Sequence, residues 1–409
     1  MAEPVHALVD HLFRHEAGRI TAALVRILGA KYLELAEEAS QEALVRALQL
    51  WPFRGVPENP AAWLHVAARN YVRDVLRREQ SWREKEPLLQ RFLDARGACA
   101  EWEPRLDDTL AMMLLCCHPA LPFEGRVAFT LKVVSGFSTR EIAAAFLAQE
   151  ETVAQRIVRA KRILRVHSLP VSMPEGQELE ERLDVVCEAL YALFNEGYMA
   201  SHGESALRRD LCEEAVRLLG CILTAGHATP ERWALAALFH LHLARFAARQ
   251  NADGQLREFS EICAASLDAA QLRRADALLL RAMDTDTLSA WHLEAAIASA
   301  HCRPIRNWRQ IVALYDALLH VKPSPLVRLN RAVAVFRAGR RGEALAELDA
   351  LEQEKGLRNY SLLPATQARL QEEAGNRIEA KRAYARALSC AMNAPARTFL
   401  QRRLENVPD

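Results

Sequence analysis

The residues best suited to binding chemistry in this sequence are cationic, and they concentrate in one short segment. Between Arg126 and Arg165 there are eight basic residues and three acidic ones, although the whole chain carries a net charge of only +1. A basic segment within a neutral chain is the electrostatic footprint expected of a nucleic-acid surface attached to something else. A solvated helix face would have the same composition, so charge alone leaves both interpretations open.

The local pattern in this segment predicts a helix-turn-helix. Ser138 and Glu141 have the spacing of a capping box, which starts a short helix that ends near Phe146. A tight turn follows, and then a longer basic helix from about Glu151 to Arg165, whose first residues would reach base edges while later cations would meet phosphates. The candidates are Thr152, Gln155 and Arg156, of which Gln155 and Arg156 are the expected base readers, and Arg159, Lys161 and Arg162 as contacts to the DNA backbone. Generic helical hairpins share this pattern, so it does not establish DNA binding by itself.

A second arginine-rich helix is predicted nearer the start of the chain, from about Ala61 to Glu79. Asn59 suits the N-cap of this helix and Pro60 its first position. Its basic residues are Arg69, Arg73, Arg77 and Arg78, and Trp63, Asn70 and Tyr71 lie among them. The preceding loop, WPFRGVPENP, adds Trp51, Phe53 and Arg54. Most tryptophans at helical spacing belong to a core, and that interpretation competes with a binding role for Trp51 and Trp63.

An acidic and polar patch precedes that loop. Its members recur at helical spacing and so share one helix face: Glu37, Glu38, Gln41 and Glu42. As a bare pattern this is an ordinary solvated face. Only a resemblance to proteins that dock through the same face makes it an interface.

The nine cysteines show no disulfide or metal framework. Cys116 and Cys117 are adjacent, and with His118 they suggest zinc. A zinc site needs three or four ligands at separated positions, however, and no second pair lies nearby. Packing in a core, with a helix end at Pro119, is the simpler interpretation, so we expect neither a metal nor a cofactor. Scattered thiols in a long helical chain are typical of a cytoplasmic protein.

The sequence predicts neither catalysis nor insertion into a membrane. It contains no nucleophile–base pair, no Gly-rich phosphate loop and no ligand cluster, so we expect a protein that is not an enzyme. The most apolar window, Trp233–Ala248, is interrupted by His240, His242 and Arg245 and is too short to span a bilayer. The first residues lack the basic-then-apolar pattern of a secretory signal. We therefore expect a cytoplasmic protein without a membrane partner.

The elements that carry these residues are predicted to be helical throughout. Apolar residues make up 51% of the chain, while glycine (16) and proline (17) are sparse, which favours an all-α fold. Proline-containing breaks near residues 83–104 and 167–178 divide the sequence. The predicted domains are residues 1–85, a linker over 86–105, a helix-turn-helix domain over 106–168 and a C-terminal helical domain over 169–409.

The C-terminal domain shows a weak internal repeat from about residue 300. Spacings of 12 and 7 relate Ala332, Ala344 and Leu351, and the same spacings relate Ala368, Ala380 and Ala387. Larger residues at an equivalent position, Tyr315, Leu348 and Tyr384, are spaced by 33 and 36. These spacings lie close to the 34-residue tetratricopeptide period. Such arrays bind a protein or peptide on a concave face, although the repeats could equally only shield or brace the first half of the chain.

Several segments resemble a known family in their residues. EEASQEALVRALQLWP, followed by NPAAWLHVAARNYVRDVLRRE, resembles regions 2.1 to 2.4 of extracytoplasmic-function (group IV) sigma factors, and GFSTREIAAAFLAQEETVAQRIVRAKRIL resembles their region 4. LLCCHPAL, LFNEGYMASHGE and LYDALLHVKPSPLVRLNRAVAVFRAG resemble a subfamily with a C-terminal tetratricopeptide-type extension. Two departures stand out. Leu110–Leu115 lacks the basic residue typical of that helix, and Ala148-Gln149 stands where Val-Pro is common.

The resemblance implies a promoter-recognition subunit of RNA polymerase, with a role for each group of residues. The single-stranded −10 element would be bound by Trp51, Phe53, Arg54, Trp63, Asn70, Arg73, Arg77 and Arg78. The duplex −35 element would be bound by Thr152, Gln155, Arg156, Arg159, Lys161 and Arg162. The coiled-coil clamp of the core polymerase's largest subunit would be bound by Glu37, Glu38, Gln41 and Glu42. The C-terminal repeats would regulate or brace this machinery.

Two other functions fit parts of the pattern. One is a helix-turn-helix regulator that binds duplex DNA without polymerase and uses the repeats as a sensor. That regulator would have no use for an arginine-rich, aromatic-flanked helix beside a clamp-docking face. The other is a tetratricopeptide scaffold with incidental basic helices, which leaves both groups of DNA-binding candidates unexplained.

Overall fold

The computed structural model describes residues 16–78, 106–134, 136–145, 148–167, 174–199, 207–249, 257, 262–357, 360–390 and 394–407. These residues are mostly helical, and none of them lies in a β-strand, which confirms the predicted all-α fold. The chain divides into two compact units, Met1–Ala189 and Leu190–Asp409. Within the described part, no helix is long and apolar enough to cross a membrane.

The first unit begins with three helices. Helix α1 is described over residues 16–28, a short 3-10 turn covers Ala30–Tyr32, and α2 and α3 span Leu33–Arg54 and Pro60–Arg78. Gly55 ends α2 at a φ of 81°. The amide oxygen of Asn59 accepts a hydrogen bond from the backbone N–H of Ala62 at 2.9 Å, so the predicted cap of α3 is confirmed. Small buried residues on α2 let its neighbours approach closely: Ala36, Ala39, Ala43 and Ala47.

The second part of this unit forms the predicted helix-turn-helix. Its helices are α4 (Leu106–Cys116), α5 (Phe123–Val133), α6 (Thr139–Ala145) and α7 (Glu150–His167). The predicted capping box is present, because the Glu141 N–H donates to Ser138 Oγ at 3.1 Å and the Ser138 N–H donates to a Glu141 carboxylate oxygen at 2.7 Å. Helix α7 packs against α5 and α6 through a stripe at helical spacing, formed by Val153, Ile157, Ala160 and Leu164.

Helix α8 (Gly176–Tyr198) contains the division between the two units. In its first half Arg182 is buried, donates to the backbone carbonyl of Leu114 at 3.3 Å and pairs with Glu178. The chain just beyond the predicted end of the helix-turn-helix domain, at residue 168, therefore contributes a buried side chain to that domain's core.

The second unit consists of the end of α8 and ten further helices within the described residues. These are α9 (Arg209–Thr224), α10 (Pro230–Phe246), α11 (Ala269–Ala282), α12 (Ala290–Cys302), α13 (Trp308–Val321), α14 (Pro325–Arg337), α15 (Arg341–Leu351), α16 (Leu362–Glu373), α17 (Arg377–Cys390) and α18 (Ala394–Asn406). Helix α10 is buried on nearly all sides and packs against α9, α11 and α12. At the end of α8, Phe194 stacks on Phe239 with their ring centroids 4.2 Å apart.

The predicted repeat coincides with two successive helical hairpins, α14–α15 and α16–α17. Each hairpin turns at a glycine of positive φ, Gly339 at 93° and Gly375 at 87°, a backbone conformation that glycine adopts without strain. The six positions related by the repeat spacings are fully buried: Ala332, Ala344, Leu351, Ala368, Ala380 and Ala387. Arg337 and Glu373, 36 positions apart, form an ion pair at 2.6 Å between the hairpins. The tetratricopeptide interpretation of these hairpins stays a prediction.

Candidate nucleic-acid interface

Helix α7 presents a polar face on the side away from its buried stripe. Thr152, Gln155, Arg159 and Arg162 are exposed there, and Arg156 beside them is partly exposed. At about 100° of rotation per residue, these five side chains fall on one side of the helix. Thr152, Gln155 and Arg156 lie in the first two turns of α7, where a helix inserted into the major groove meets base edges. The two later arginines lie where such a helix meets phosphates.

Lys161 does not share this face. It stands nine positions after Thr152, which corresponds to about half a turn around the helix axis. Its Nζ donates to a carboxylate oxygen of Glu37 on α2 at 2.5 Å, and about a quarter of the Lys161 side chain is exposed (24%). This geometry disfavours the contact of Lys161 with the DNA backbone, because its ammonium faces a carboxylate on the opposite side of α7, and that contact stays a prediction.

One turn further along α7, Arg165 repeats the contact that Lys161 makes. Its guanidinium lies 3.3 Å from a carboxylate oxygen of Glu34, which stands one turn before Glu37 on α2. Glu34 and Arg165 did not emerge from the sequence as functional candidates. Their pairing joins positions 131 residues apart, whereas helical periodicity reports only neighbours on one helix.

The rest of the acidic face of α2 stays at the surface. Glu38 accepts a hydrogen bond from the Tyr71 hydroxyl of α3 at 2.6 Å, and this bond raises the pKa of Tyr71 because it stabilises the protonated phenol. Glu42 pairs with Arg46 on its own helix at 2.9 Å, and Gln41 is exposed. Glu38, Gln41 and Glu42 thus lie at the surface, and the two carboxylates contact Tyr71 of α3 and Arg46 of α2. We call these three residues the open acidic face.

The predicted basic residues of α3 lie along the outer part of that helix. Arg77 is exposed, and Asn70 and Arg73 are partly exposed, with the Arg73 guanidinium 3.5 Å from the neighbouring Asp74 carboxylate. Arg78 is the last residue of α3, and its side chain lies outside the described residues. These positions give α3 a cationic surface near its C-terminal end.

The aromatic candidates separate into buried and exposed side chains. Trp51 is only 3% exposed and packs edge-on against Trp63, with their ring centroids 5.5 Å apart. Trp51 is therefore a core residue rather than a stacking surface, because its ring has no free face for a base. Phe53 is 89% exposed, and the adjacent Arg54 is exposed as well. At the end of α2, the ring of Phe53 could stack on an unpaired base, and the guanidinium of Arg54 could neutralise the charge of a phosphate.

A buried charged group fixes α3 relative to α1. The imidazole of His65 on α3 lies 3.4 Å from a carboxylate oxygen of Glu16, and Arg19 lies 3.1 Å from the other oxygen. Burial alone would raise the pKa of Glu16, but the hydrogen bond to His65 and the charge of Arg19 outweigh it and hold this pKa below its usual value. The carboxylate therefore stays ionised and orients the helix that carries the cationic surface.

The adjacent cysteines are part of the core of the helix-turn-helix domain. Cys116 and Cys117 are fully buried, and burial raises the pKa of Cys117 to about 12 while Thr130 lies 3.4 Å from its sulfur. A thiol held protonated in this way is a poor metal ligand. Among the described residues, no group of three or more His, Cys, Asp or Glu side chains is arranged to hold a metal ion.

Comparison with known proteins finds three matching families along the chain. Residues 12–83 match the model of sigma-70 region 2, and residues 111–164 match sigma-70, region 4. Residues 182–283 match a family of unknown function, DUF6596. An uncharacterized protein of Rhizobium meliloti (strain 1021) is 36% identical over 385 residues, which cover 92% of this chain and 90% of the relative. No solved structure matches the chain.

Proposed function

The chain belongs to the sigma-70 family, and on that basis we propose that it is an extracytoplasmic-function (group IV) sigma factor that directs core RNA polymerase to specific promoters and initiates transcription. The observation that carries the proposal is the presence of region 2 and region 4, in this order, in one chain that has an arginine-rich helix in the first and a helix-turn-helix in the second. The protein would act in the cytoplasm as a non-catalytic specificity subunit.

We propose that region 2 binds the single-stranded −10 element. Phe53 and Arg54 are exposed at the end of α2, so they are the best placed to capture a base. Asn70 would pair with a base edge, and Arg73, Arg77 and Arg78 would position the phosphates. Trp63 would support this surface from its partly exposed place against Trp51.

Region 4 would bind the duplex −35 element through the polar face of α7. Thr152, Gln155 and Arg156 would read base edges, and Arg159 and Arg162 would contact phosphates on either side. The exposure of these side chains on one side of the helix supports this assignment.

Core polymerase would bind to the acidic residues of α2. The carboxylates of the open acidic face contact only Tyr71 and Arg46 among the described residues, and Glu37 directly precedes Glu38 on the same helix. Charge complementarity with a basic clamp surface would set both the rate and the specificity of docking.

For the C-terminal unit we propose a regulatory or bracing role. It combines the family of unknown function over residues 182–283 with the two helical hairpins that follow. If these hairpins are tetratricopeptide-like, their ligand would be a protein or peptide.

The rival proposal, a helix-turn-helix regulator that works without polymerase, accounts for region 4 but not for region 2. The two proposals differ in one property, which is association with core polymerase. We expect the purified full-length chain to co-elute with core RNA polymerase in size-exclusion chromatography at moderate salt. A chain that elutes separately from core enzyme and still shifts duplex promoter DNA would favour the rival.

A further inference from the structure

Helix α7 carries an exposed apolar side chain among the polar residues that we assign to DNA. Val158 is 66% exposed, although valine is an apolar residue. It follows Gln155 by three positions and precedes Arg162 by four, and both of these neighbours are exposed as well. Residues at these spacings lie next to each other along one side of a helix. Val158 therefore belongs to the outward side of α7 and not to its packed side.

Helical geometry gives the direction of this side chain more closely. The buried stripe of α7 packs against α5 and α6. At about 100° of rotation per residue, Gln155 and Arg162 point almost directly away from the centre of that stripe. Val158 and Arg159 then lie about 50° to either side of this outward direction. Val158 thus points away from the core of region 4 as directly as Arg159 does, and more directly than Arg156.

The folding of the free protein does not explain a valine at this position. On a solvent-exposed side of a helix, alanine, arginine, lysine and glutamate are favoured over valine, because the branched Cβ of valine restricts its rotamers. The exposed methyl groups of Val158 also contribute little hydrophobic stabilisation. A partner that covers these methyl groups would gain that stabilisation on binding.

Val158 also lies at a depth along α7 from which base edges can be reached. It follows Thr152 by six positions, which is about 9 Å along the helix axis and less than two turns. In homeodomains the base-reading positions of the recognition helix extend over a similar length, at i, i+3, i+4 and i+7. The apolar feature of the major groove is the C5 methyl group of thymine, and apolar side chains contact it there.

We propose that Val158 reads a thymine of the −35 element, through contact between its methyl groups and the C5 methyl group of the base. The inference rests on the proposed function, which places α7 in the major groove. Of the four bases, only thymine presents a methyl group in that groove. Gln155 on the preceding turn would read a neighbouring base through hydrogen bonds. Val158 adds a preference that no hydrogen bond supplies.

The test variant, Val158→Ala, removes the contact without disturbing the fold. The side chain is exposed, and alanine is the better helix former. The matched control is Val166→Ala. Val166 is 67% exposed and lies on the same helix, but it stands about 12 Å further along the axis, in the last turn before α7 ends. Both variants remove the same atoms from equally exposed positions of one helix.

The experiment measures the affinity of the holoenzyme, reconstituted from the full-length protein and core polymerase, for its −35 duplex. Each thymine of the element, on either strand, is replaced in turn by deoxyuridine, which lacks only the C5 methyl group. In the wild type and in Val166→Ala, we expect one replacement to lower the affinity about fourfold, which corresponds to one buried methyl group. Val158→Ala should bind the natural duplex about fourfold more weakly and should not respond to that replacement, because the lost contact is the same.

Two results would overturn the proposal. In one, no replacement by deoxyuridine lowers the affinity of the wild type. In the other, Val158→Ala keeps the sensitive thymine of the wild type, so that the methyl group acts through another side chain or through the shape of the DNA.

The same replacements are made in duplexes that the full-length chain selects from a random pool without polymerase. A chain that binds these duplexes but forms no holoenzyme would refute the proposed function, and its response to deoxyuridine would still decide the role of Val158. A chain without sequence-selective binding in either assay would refute both.

Discussion

Reversing two charges on the open acidic face, by Glu38→Lys together with Glu42→Lys, is expected to weaken binding to core RNA polymerase by about 100-fold. Placing like charges against a basic partner surface costs several kcal/mol, and two such contacts change together. Their partners, Tyr71 and Arg46, both lie in region 2, so the double variant leaves the DNA-binding face of region 4 unchanged. The affinity is measured by fluorescence anisotropy of labelled protein titrated with purified core enzyme.

The matched control reverses two carboxylates of the second unit, Glu213→Lys with Glu379→Lys. Each of these glutamates has one arginine partner, Arg209 and Arg382 respectively. The control therefore changes the net charge by the same amount, and it loses two ion pairs where the test variant loses the Glu42–Arg46 ion pair and the Tyr71–Glu38 hydrogen bond. The control should bind polymerase like the wild type. Equal affinities for both double variants at moderate salt would mean that α2 is not the docking helix.

Arg156→Ala is expected to lower the affinity of the holoenzyme for its −35 duplex by roughly 5- to 150-fold, which corresponds to about 1–3 kcal/mol. The base preference should be lost at one base pair only, because a bidentate arginine distinguishes guanine from the other bases at the position that it contacts. The measurement is binding to a set of duplexes that carry every base at each position of the element. The variant should bind all four bases at one position with similar affinity.

Two further variants of α7 separate base readout from phosphate contact. Arg159→Ala should weaken binding to all duplexes alike and lower the salt slope by about one, because one phosphate contact is lost. Lys161→Ala should leave the salt slope unchanged, since this residue lies on the opposite side of α7 from Thr152. A uniform loss from Arg156→Ala, identical to that from Arg159→Ala, would contradict the division between base readers and phosphate contacts.

Local signals in the sequence were sufficient to predict the elements that carry the site. The Ser138–Glu141 capping box and the Asn59 cap involve residues within four positions of each other, so sequence spacing determines them. The buried alanines of the two C-terminal hairpins follow from helical period and repeat length in the same way. For these short-range interactions, the prediction and the structure agree.

The contacts that link distant segments could not be predicted from the sequence. In the sequence, Lys161 is a basic residue on a basic helix, as a phosphate contact would be. Only the fold places Glu37, 124 positions away, against it. Trp51 and Phe53 are two residues apart in one aromatic loop, yet one is buried and the other is almost fully exposed. Gly18 lies so close to the backbone carbonyl of Val134, 116 positions away, that a Cβ atom at position 18 would stand 1.9 Å from its oxygen. Tertiary packing decides all three, and periodicity within one helix carries no information about it.

The most direct test of the central claim is reconstituted transcription. Purified full-length protein is added to core RNA polymerase on a pool of genomic fragments from the source organism, and the start sites of the transcripts are sequenced. We expect a small set of discrete starts that need both components and that share one −35 and one −10 sequence. The absence of any start that depends on the added protein, although the protein binds duplex DNA on its own, would contradict the assignment as a sigma factor.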